Sequence, residues 1–570
     1  MKLIRNLFIG LILAGSMTSC NDLLNETPKD FLTPENSYTD RKGFEAALAN
    51  LYLNIRNDFY ANTDSWQNYD LMGVDVDLNG PRSATDVYPE YFYWNTLNAD
   101  NGFAKKWWQR LYGYIYSCNV IIDRSESSIV KWNSEEEKNA IVGEAKFLRA
   151  FAYRFLGNMW GQAPIVLEET TSPQFNYKSA SQEEIYQQCK DDLLFAIQWM
   201  RDIDDQKGGM ASNVAARHLL SEILICMKDY NGAIEQATAV INNPAMSLMT
   251  ERFGKLKDFT FEGYDYQGEK EAWGDVFWDL FREGNFNRID GNKECIWNVQ
   301  FDVDLEGGGN VGASGGNFVM ERWIGTMWWN LKDADGNSNW LKDILSGRPV
   351  DQISITDYAA NQIWQYKDDW DRDMRNSKYN MKREYYWTNP NGRFYGQKMS
   401  EETLGNKEEL FRITQPTFMK VVTAQHHGQF KDSQSGETHD NGRTYKDWYI
   451  MRLAETYLLR AEAYMNAGDL NAAAADINVI RNRAKATPVT ASDVNIDLIL
   501  DERARELYME DYRLNTLMRL NKLTEYLMKY NPKVIQAGYK LDDHLNKLPV
   551  PNSEIEANKE GGLVQNPGYN

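Results

Sequence analysis

Two stretches of this 570-residue chain set aromatic rings beside short polar side chains. The first holds Trp66, Asp75, Asp77, Arg82, Trp94, Asn95 and Asn98 among several tyrosines. The second holds Trp323, Trp328, Trp329 and Trp340 behind a glycine run that opens at Gly307. An exposed indole is flat and apolar, and carboxylates, amides or a guanidinium at its border add directed donors and acceptors. That pairing suits a neutral glycan, whose C–H faces pack on rings while its hydroxyls need paired partners. Each tryptophan taken singly also has a plain role as packing. The adjacent Trp328 and Trp329 are expected to point two ways, so that only one of them faces a ligand.

Other patterns carry less chemistry. Gly307, Gly309 and Gly312 spell a dinucleotide-type GxGxxG, but no clear helix pattern follows. The run Asp333 to Asn337 hints at a calcium loop, yet aligning Gly336 with the turn glycine puts Leu331 and Lys342 at ligand positions. No cofactor is required, and an adventitious calcium ion nearby is the one metal expectation left. His426, His427 and His439 read as a solvated loop. Glu502, Glu506 and Glu510 share a helical face beside Arg503 and Arg505, where ion pairing accounts for them. No GxSxG or HExxH occurs, and no catalytic constellation stands out, so an enzyme is not expected.

Most of the remaining chain is patterned as helix that can hold these stretches in place. Apolar residues recur at three- and four-residue steps over 41–57, 103–126, 134–158, 181–202, 211–242, 445–483 and 493–520. Breaks are expected near Asp229 and Gly468. Two units repeat at a constant offset of 240 positions: Ser221, Leu224, Ala233, Ala237 and Val240 match Ala461, Tyr464, Ala473, Ile477 and Ile480. Small residues at a helix crossing and a larger one a turn later are what a tetratricopeptide-type hairpin needs. The expected fold is mainly α, a tetratricopeptide-like scaffold with irregular insertions at 62–103 and 251–440. Only short strand-like pieces such as ECIWNVQF interrupt the second insertion. The expected regions are 1–19 as signal peptide, 20–250 and 441–570 as helical parts, and 251–440 as the loop-rich, ligand-binding part.

The net charge of −20 disfavours nucleic acid, which needs a Lys/Arg excess. The N-terminus reads as a secretory signal: Lys2 and Arg5, an apolar run from Leu7 to Ala14, then small residues before Cys20. Cys20 resembles the lipid-modified cysteine of bacterial lipoproteins, so the chain is expected to sit on a membrane without crossing it. Cys118, Cys189, Cys226 and Cys295 are widely spaced and read as buried free thiols rather than a disulfide framework.

Several phrases, in order along the chain, resemble the SusD/RagB family of Bacteroidetes outer-membrane lipoproteins. They are WWQRLYGYIYSCNVII from Trp107, GEAKFLRAFAYRFLGNMWGQAPIV from Gly143, the helical run Trp448 to Ala484, DERARELYMEDYR from Asp501, and the closing Leu548 to Tyr569. The segment Arg513 to Arg519 departs from the family by lacking its Trp and Asp. The resemblance implies a surface lipoprotein without catalytic activity that caps a SusC-like TonB-dependent outer-membrane transporter and hands it oligosaccharide or polysaccharide. By the same resemblance Trp94 and Trp323 are the first choices for sugar platforms. Two alternatives stay open: peptide capture by the same kind of lid, and a helical interaction scaffold without a ligand.

Overall fold

The computed structural model describes residues 37–61, 73–79, 94–263, 268–302, 305, 307–309, 317–339, 345, 347–423 and 444–569. Cys20, Trp66, Arg82, Gly312, Trp340, His426, His427 and His439 lie outside the described residues, and of Asn95 only the backbone is described.

Ten helices make the scaffold: α1 (Arg41–Arg56), α2 (Gly102–Ser125), α3 (Glu135–Phe155), α4 (Gln182–Trp199), α5 (Asn213–Cys226), α6 (Tyr230–Ile241), α7 (Leu453–Ala467), α8 (Leu470–Arg483), α9 (Ile496–Glu506) and α10 (Arg513–Arg519). Side chains fix the starts of seven of them. Asn101 accepts from the Ala104 amide, Ser134 from Glu137, and Ser181 forms a reciprocal capping box with Glu184. Helices α2 to α8 pack each against the next, and α6 against α7 closes the long sequence gap between the two halves. The apolar faces of α1 to α6 merge into the main core, and the inside of the α7–α8 hairpin packs with α9 as a second cluster beside it.

The 240-residue repeat is a structural repeat. Ser221, Ala233, Ala237 and Val240 in α5–α6 are fully buried, and so are Ala461, Ala473, Ile477 and Ile480 in α7–α8. Asp229 and Asp469 cap the second helix of each hairpin alike, each accepting one backbone N–H at 3.0 Å. The turn before each cap is left-handed, at Gly468 (φ 87°) in one hairpin and Lys228 (φ 63°) in the other.

The strands are short: β1 (Asp77–Asn79), β2 (Thr260–Phe261), β3 (Glu271–Ala272), β4 (Cys295–Val299), β5 (Ile353–Ile355), β6 (Met381–Lys382), β7 (Thr417–Phe418) and β8 (Trp448–Arg452). The expected helix over 445–483 therefore begins eight residues late. Trp448–Arg452 instead pairs antiparallel with Cys295–Val299, and every residue of both strands is buried. A strand covered on both faces shows no alternation, so its pattern passes for buried helix.

A buried charge network locks β4 and β8 to α8 and α9. Arg452 reaches Glu294 (3.1 Å), Glu506 (2.8 Å) and Glu510 (2.7 Å), and Arg483 reaches Glu294 and Glu506. Arg375 and Arg481 add Glu502 at 2.7 and 2.8 Å. The glutamates are thus bound mainly across elements, with Arg505 to Glu502 the one pair along the helix, and α9 ends before Glu510. Cys118, Cys189 and Cys295 are buried, Cys226 is half-buried, and all four are free. No helix among the described residues is long and apolar enough to cross a membrane.

Candidate ligand-binding cleft

The two aromatic insertions meet in space. β1, from the first, pairs antiparallel with β5, from the second, and Ile353 of β5 bridges to Ile324 beside Trp323. Their proposed ligand residues, however, mostly turn inward. Asp75 is fully buried in an ion pair with Arg513, and Asp77 is fully buried and accepts from the Tyr508 hydroxyl at 2.6 Å. Burying an ionised carboxylate demands such partners, so these two are core anchors and present nothing to a sugar. Trp94 is buried with its Nε1–H on the Gly73 carbonyl at 2.8 Å. Asn98 is exposed, but it caps its own turn through the Asp100 amide.

The tryptophan pair splits. Trp328 is 1% exposed and packs on Tyr385, Leu331, Trp387 and Met399. Trp329 is half-buried, donates to the Pro349 carbonyl at 2.7 Å, and carries the Arg348 guanidinium 4.0 Å from its ring. Trp323 is 9% exposed and belongs to the main core, so the first-choice platform has almost no ring face to offer. The indole N–H groups of Trp323 and Trp328 have no acceptor among the described residues.

An open cleft of about 760 Å³ lies elsewhere in the irregular region, between the β2–β3 hairpin and the chain from Trp370 to Tyr386. Trp370 and Tyr386 are half-buried aromatic members of its wall, bordered by Asn376, Lys378, Arg383 and Glu384. The 384–387 run alternates around the bridge of Tyr386 to Lys398: Glu384 and Tyr386 line the cleft, while Tyr385 and Trp387 enter the layer around Trp328. The tryptophan-rich stretch thus backs a wall whose outer residues come from another segment.

The scaffold holds Trp370 from both sides. Asp369 accepts from Arg481 of α8 and from the Thr487 amide and hydroxyl at 2.9 and 2.7 Å. Asp373 accepts from Arg375, which also binds Glu502 and Glu506 of α9. The Met374 amide and Arg372 side chain donate to Ala484 and Lys485 carbonyls at the end of α8. Asn376 donates to the Trp370 carbonyl at 2.8 Å, and Asp275 gathers Ser377 and Asn380. A loop anchored at so many points presents its ring in one place.

Arg383 stands 4.3 Å from the centre of the Trp370 ring. Its Nη groups donate to Ala360 O (2.7 Å), Asn376 Oδ1 (2.6 Å) and Asn361 Oδ1 (3.2 Å), while its Nε–H has no acceptor among the described residues. All three acceptors are neutral, and burial lowers the guanidinium to about 10. The cation covers one indole face, and its unpartnered Nε–H is itself buried, so the cleft is offered the ring rather than that donor. Glu384 pairs with Lys398 and accepts from the Tyr386 hydroxyl at 2.9 Å, which fixes that ring as well.

Ligand binding is expected within 251–440 from the sequence, but Trp370, Arg383 and Tyr386 are not among the expected ligand residues. The available signal was WDRDMRNSKYNMKREYY, where a lone tryptophan stands among charges and two tyrosines follow an Arg–Glu pair. The Asp333 turn needs no cation to explain it, because that carboxylate accepts from the Asp335 and Asn337 amides and the Asn337 side chain. No group of three metal-ligating side chains occurs among the described residues.

Comparison with known proteins gives two family matches, one described as the SusD family over residues 293–569 and one as starch-binding, associating with the outer membrane, over residues 30–225. The chain is similar to SusD-like protein P25 of Formosa agariphila, at 22% identity with 97% of each chain covered. It is also similar to the starch-binding protein SusD of Bacteroides thetaiotaomicron, at 39% identity over 131 residues, 22% of each chain. A solved laminarin-binding SusD-like protein superposes with a TM-score of 0.63 at 20% identity, over 93% of this chain and all of that one, and so shares the fold.

Proposed function

Because the chain belongs to the SusD/RagB family, whose members are binding proteins and not enzymes, we propose that it captures a neutral glycan in the Trp370–Arg383 cleft at the outer membrane. The observation that carries the site is a half-buried indole on the cleft wall, backed by a guanidinium and locked to the helical scaffold. The starch- and laminarin-binding relatives support sugar as the ligand class. Charge narrows it further. Glu262, Glu269, Glu271, Asp371, Asp373 and Glu384 line the cleft against Lys378, Lys382 and Arg383, so a sulfated or uronic chain would be repelled.

In this reading Cys20 carries the lipid anchor, and the protein acts as a lid over a SusC-like TonB-dependent transporter. Enclosing one glycan between two proteins strengthens binding beyond what either open surface supplies. The test is binding of a soluble form starting after Cys20 to panels of polysaccharides and of peptides. Retention of one or more neutral polysaccharides is expected. Peptide retention with no glycan retained would overturn the reading.

A further inference from the structure

The helix α2 is aromatic on two faces. Trp107, Leu111, Tyr114 and Cys118 enter the core, as the helical period requires. Trp108, Tyr112, Tyr116 and Asn119 form a second stripe, and this stripe lines a separate cleft of about 380 Å³. The other walls are the segment 164–177 and the short helix Asn552–Ala557 with the chain just after it. Such a volume falls within the roughly 300–1,000 Å³ common for small-ligand sites.

The walls are fixed in position. Tyr112 donates to the Pro164 carbonyl at 2.7 Å, and Asn119 donates to the Val166 carbonyl at 2.9 Å. Asn558 exchanges hydrogen bonds with the Tyr177 backbone, and Gln109 reaches across to Glu554 at 2.8 Å. Polar capacity is left over. Trp108 is only 4% exposed, yet its Nε1–H has no acceptor among the described residues. Buried indoles usually find one. The hydroxyls of Tyr116, 46% exposed, and of half-buried Tyr177 also lack protein partners among the described residues.

We propose that this cleft is a second carbohydrate subsite, which takes a short stretch of neutral oligosaccharide against Trp108 and Tyr116. Tyr116 supplies an open ring face, and the Trp108 indole, the two tyrosine hydroxyls and the Glu554 carboxylate supply directed partners. Its lining holds one carboxylate and no cation, so anionic sugars are disfavoured. The proposal rests on the reading of the chain as a glycan binder. A two-cleft protein would grip a long polysaccharide, or neighbouring chains of one, more tightly than either cleft alone.

The test titrates hexasaccharides of starch, laminarin, xylan and mannan into the soluble wild type and into Trp370→Ala, Tyr116→Ala and Trp108→Phe, with folding checked by circular dichroism. Two classes of site are expected for the glycan that binds. Trp370→Ala should remove one class. Tyr116→Ala and Trp108→Phe should each weaken the other by about tenfold, the size of a lost ring contact or hydrogen bond. A single class, lost in Trp370→Ala and untouched in Tyr116→Ala, would overturn this proposal and leave the main cleft standing. Binding that survives Trp370→Ala but fails in Tyr116→Ala would do the reverse. No glycan bound by any form would sink both. Unchanged glycan binding in Tyr116→Ala together with loss of transporter association would reassign the cleft to a protein partner.

Discussion

Asp75 and Arg513 stand 438 residues apart in the chain and meet as a buried ion pair, Nε lying 3.0 Å from Oδ1. Arg513 opens α10 and also donates to the Leu500 carbonyl at the middle of α9. The short stretch around Asp75 is therefore tied to the C-terminal scaffold. Asp77 repeats the arrangement with Tyr508 two residues on.

Removing one partner leaves the other charge buried without compensation. Arg513→Met is expected to destabilise the protein by about 3–5 kcal/mol, read from urea unfolding. A loss below about 1 kcal/mol would mean that Asp75 finds water or another partner.

Core and platform tryptophans should separate cleanly. Trp328→Ala empties a packed site and is expected to cost about 3–5 kcal/mol. Trp370→Ala touches a half-buried ring at the edge of the core and should cost less, about 1–2 kcal/mol. Thermal unfolding of the two variants side by side checks the contrast.

The repeat allows a stabilising change to be named. Lys228 occupies a left-handed position that its counterpart fills with Gly468. Lys228→Gly relieves that conformation and is expected to stabilise the fold by about 0.5–1 kcal/mol, less the added freedom of the unfolded chain. Gly468→Lys should lose a similar amount, and urea midpoints of both variants test the pair.

Acid should unfold the protein through its buried network. Burial alone would raise the Glu502 carboxyl, but Arg375, Arg505 and Arg481 outweigh it and hold it at about 2, below its ordinary 4.5. A lowered folded pKa contributes stability that is complete above the unfolded pKa and disappears as pH falls through the folded one. Stability is expected to drop progressively from about pH 4.5 to about pH 2, and Glu502→Gln should flatten that drop while lowering stability at pH 7. Urea midpoints across this range decide it.

The helices were legible because their apolar steps and caps are local. Helix α2 was expected over 103–126 and runs from Gly102 to Ser125, and the hairpin repeat appeared as spacing alone. Trp448–Arg452 was not legible, since a strand buried on both faces leaves no alternation to read. Asp75 and Asp77 were misplaced for a different reason. Two carboxylates among aromatics look like sugar partners until Arg513 and Tyr508 are seen beside them, and nothing local announces a partner more than 400 residues away. Trp370 is not marked out locally because its significance lies in what anchors it: Asp369 to Arg481 and Arg375 to Glu502 are tertiary facts. The clustering of tryptophans behind the glycine run marked a packed wall more than an open platform.

The central claim is that the Trp370–Arg383 cleft holds the glycan, and calorimetric titration tests it most directly. The soluble wild type and Trp370→Ala would be titrated with the polysaccharide that the wild type retains best. The account predicts wild-type binding that falls at least about tenfold in Trp370→Ala, the loss expected of a stacked ring. Equal affinity in the two proteins, with both folded, would contradict it.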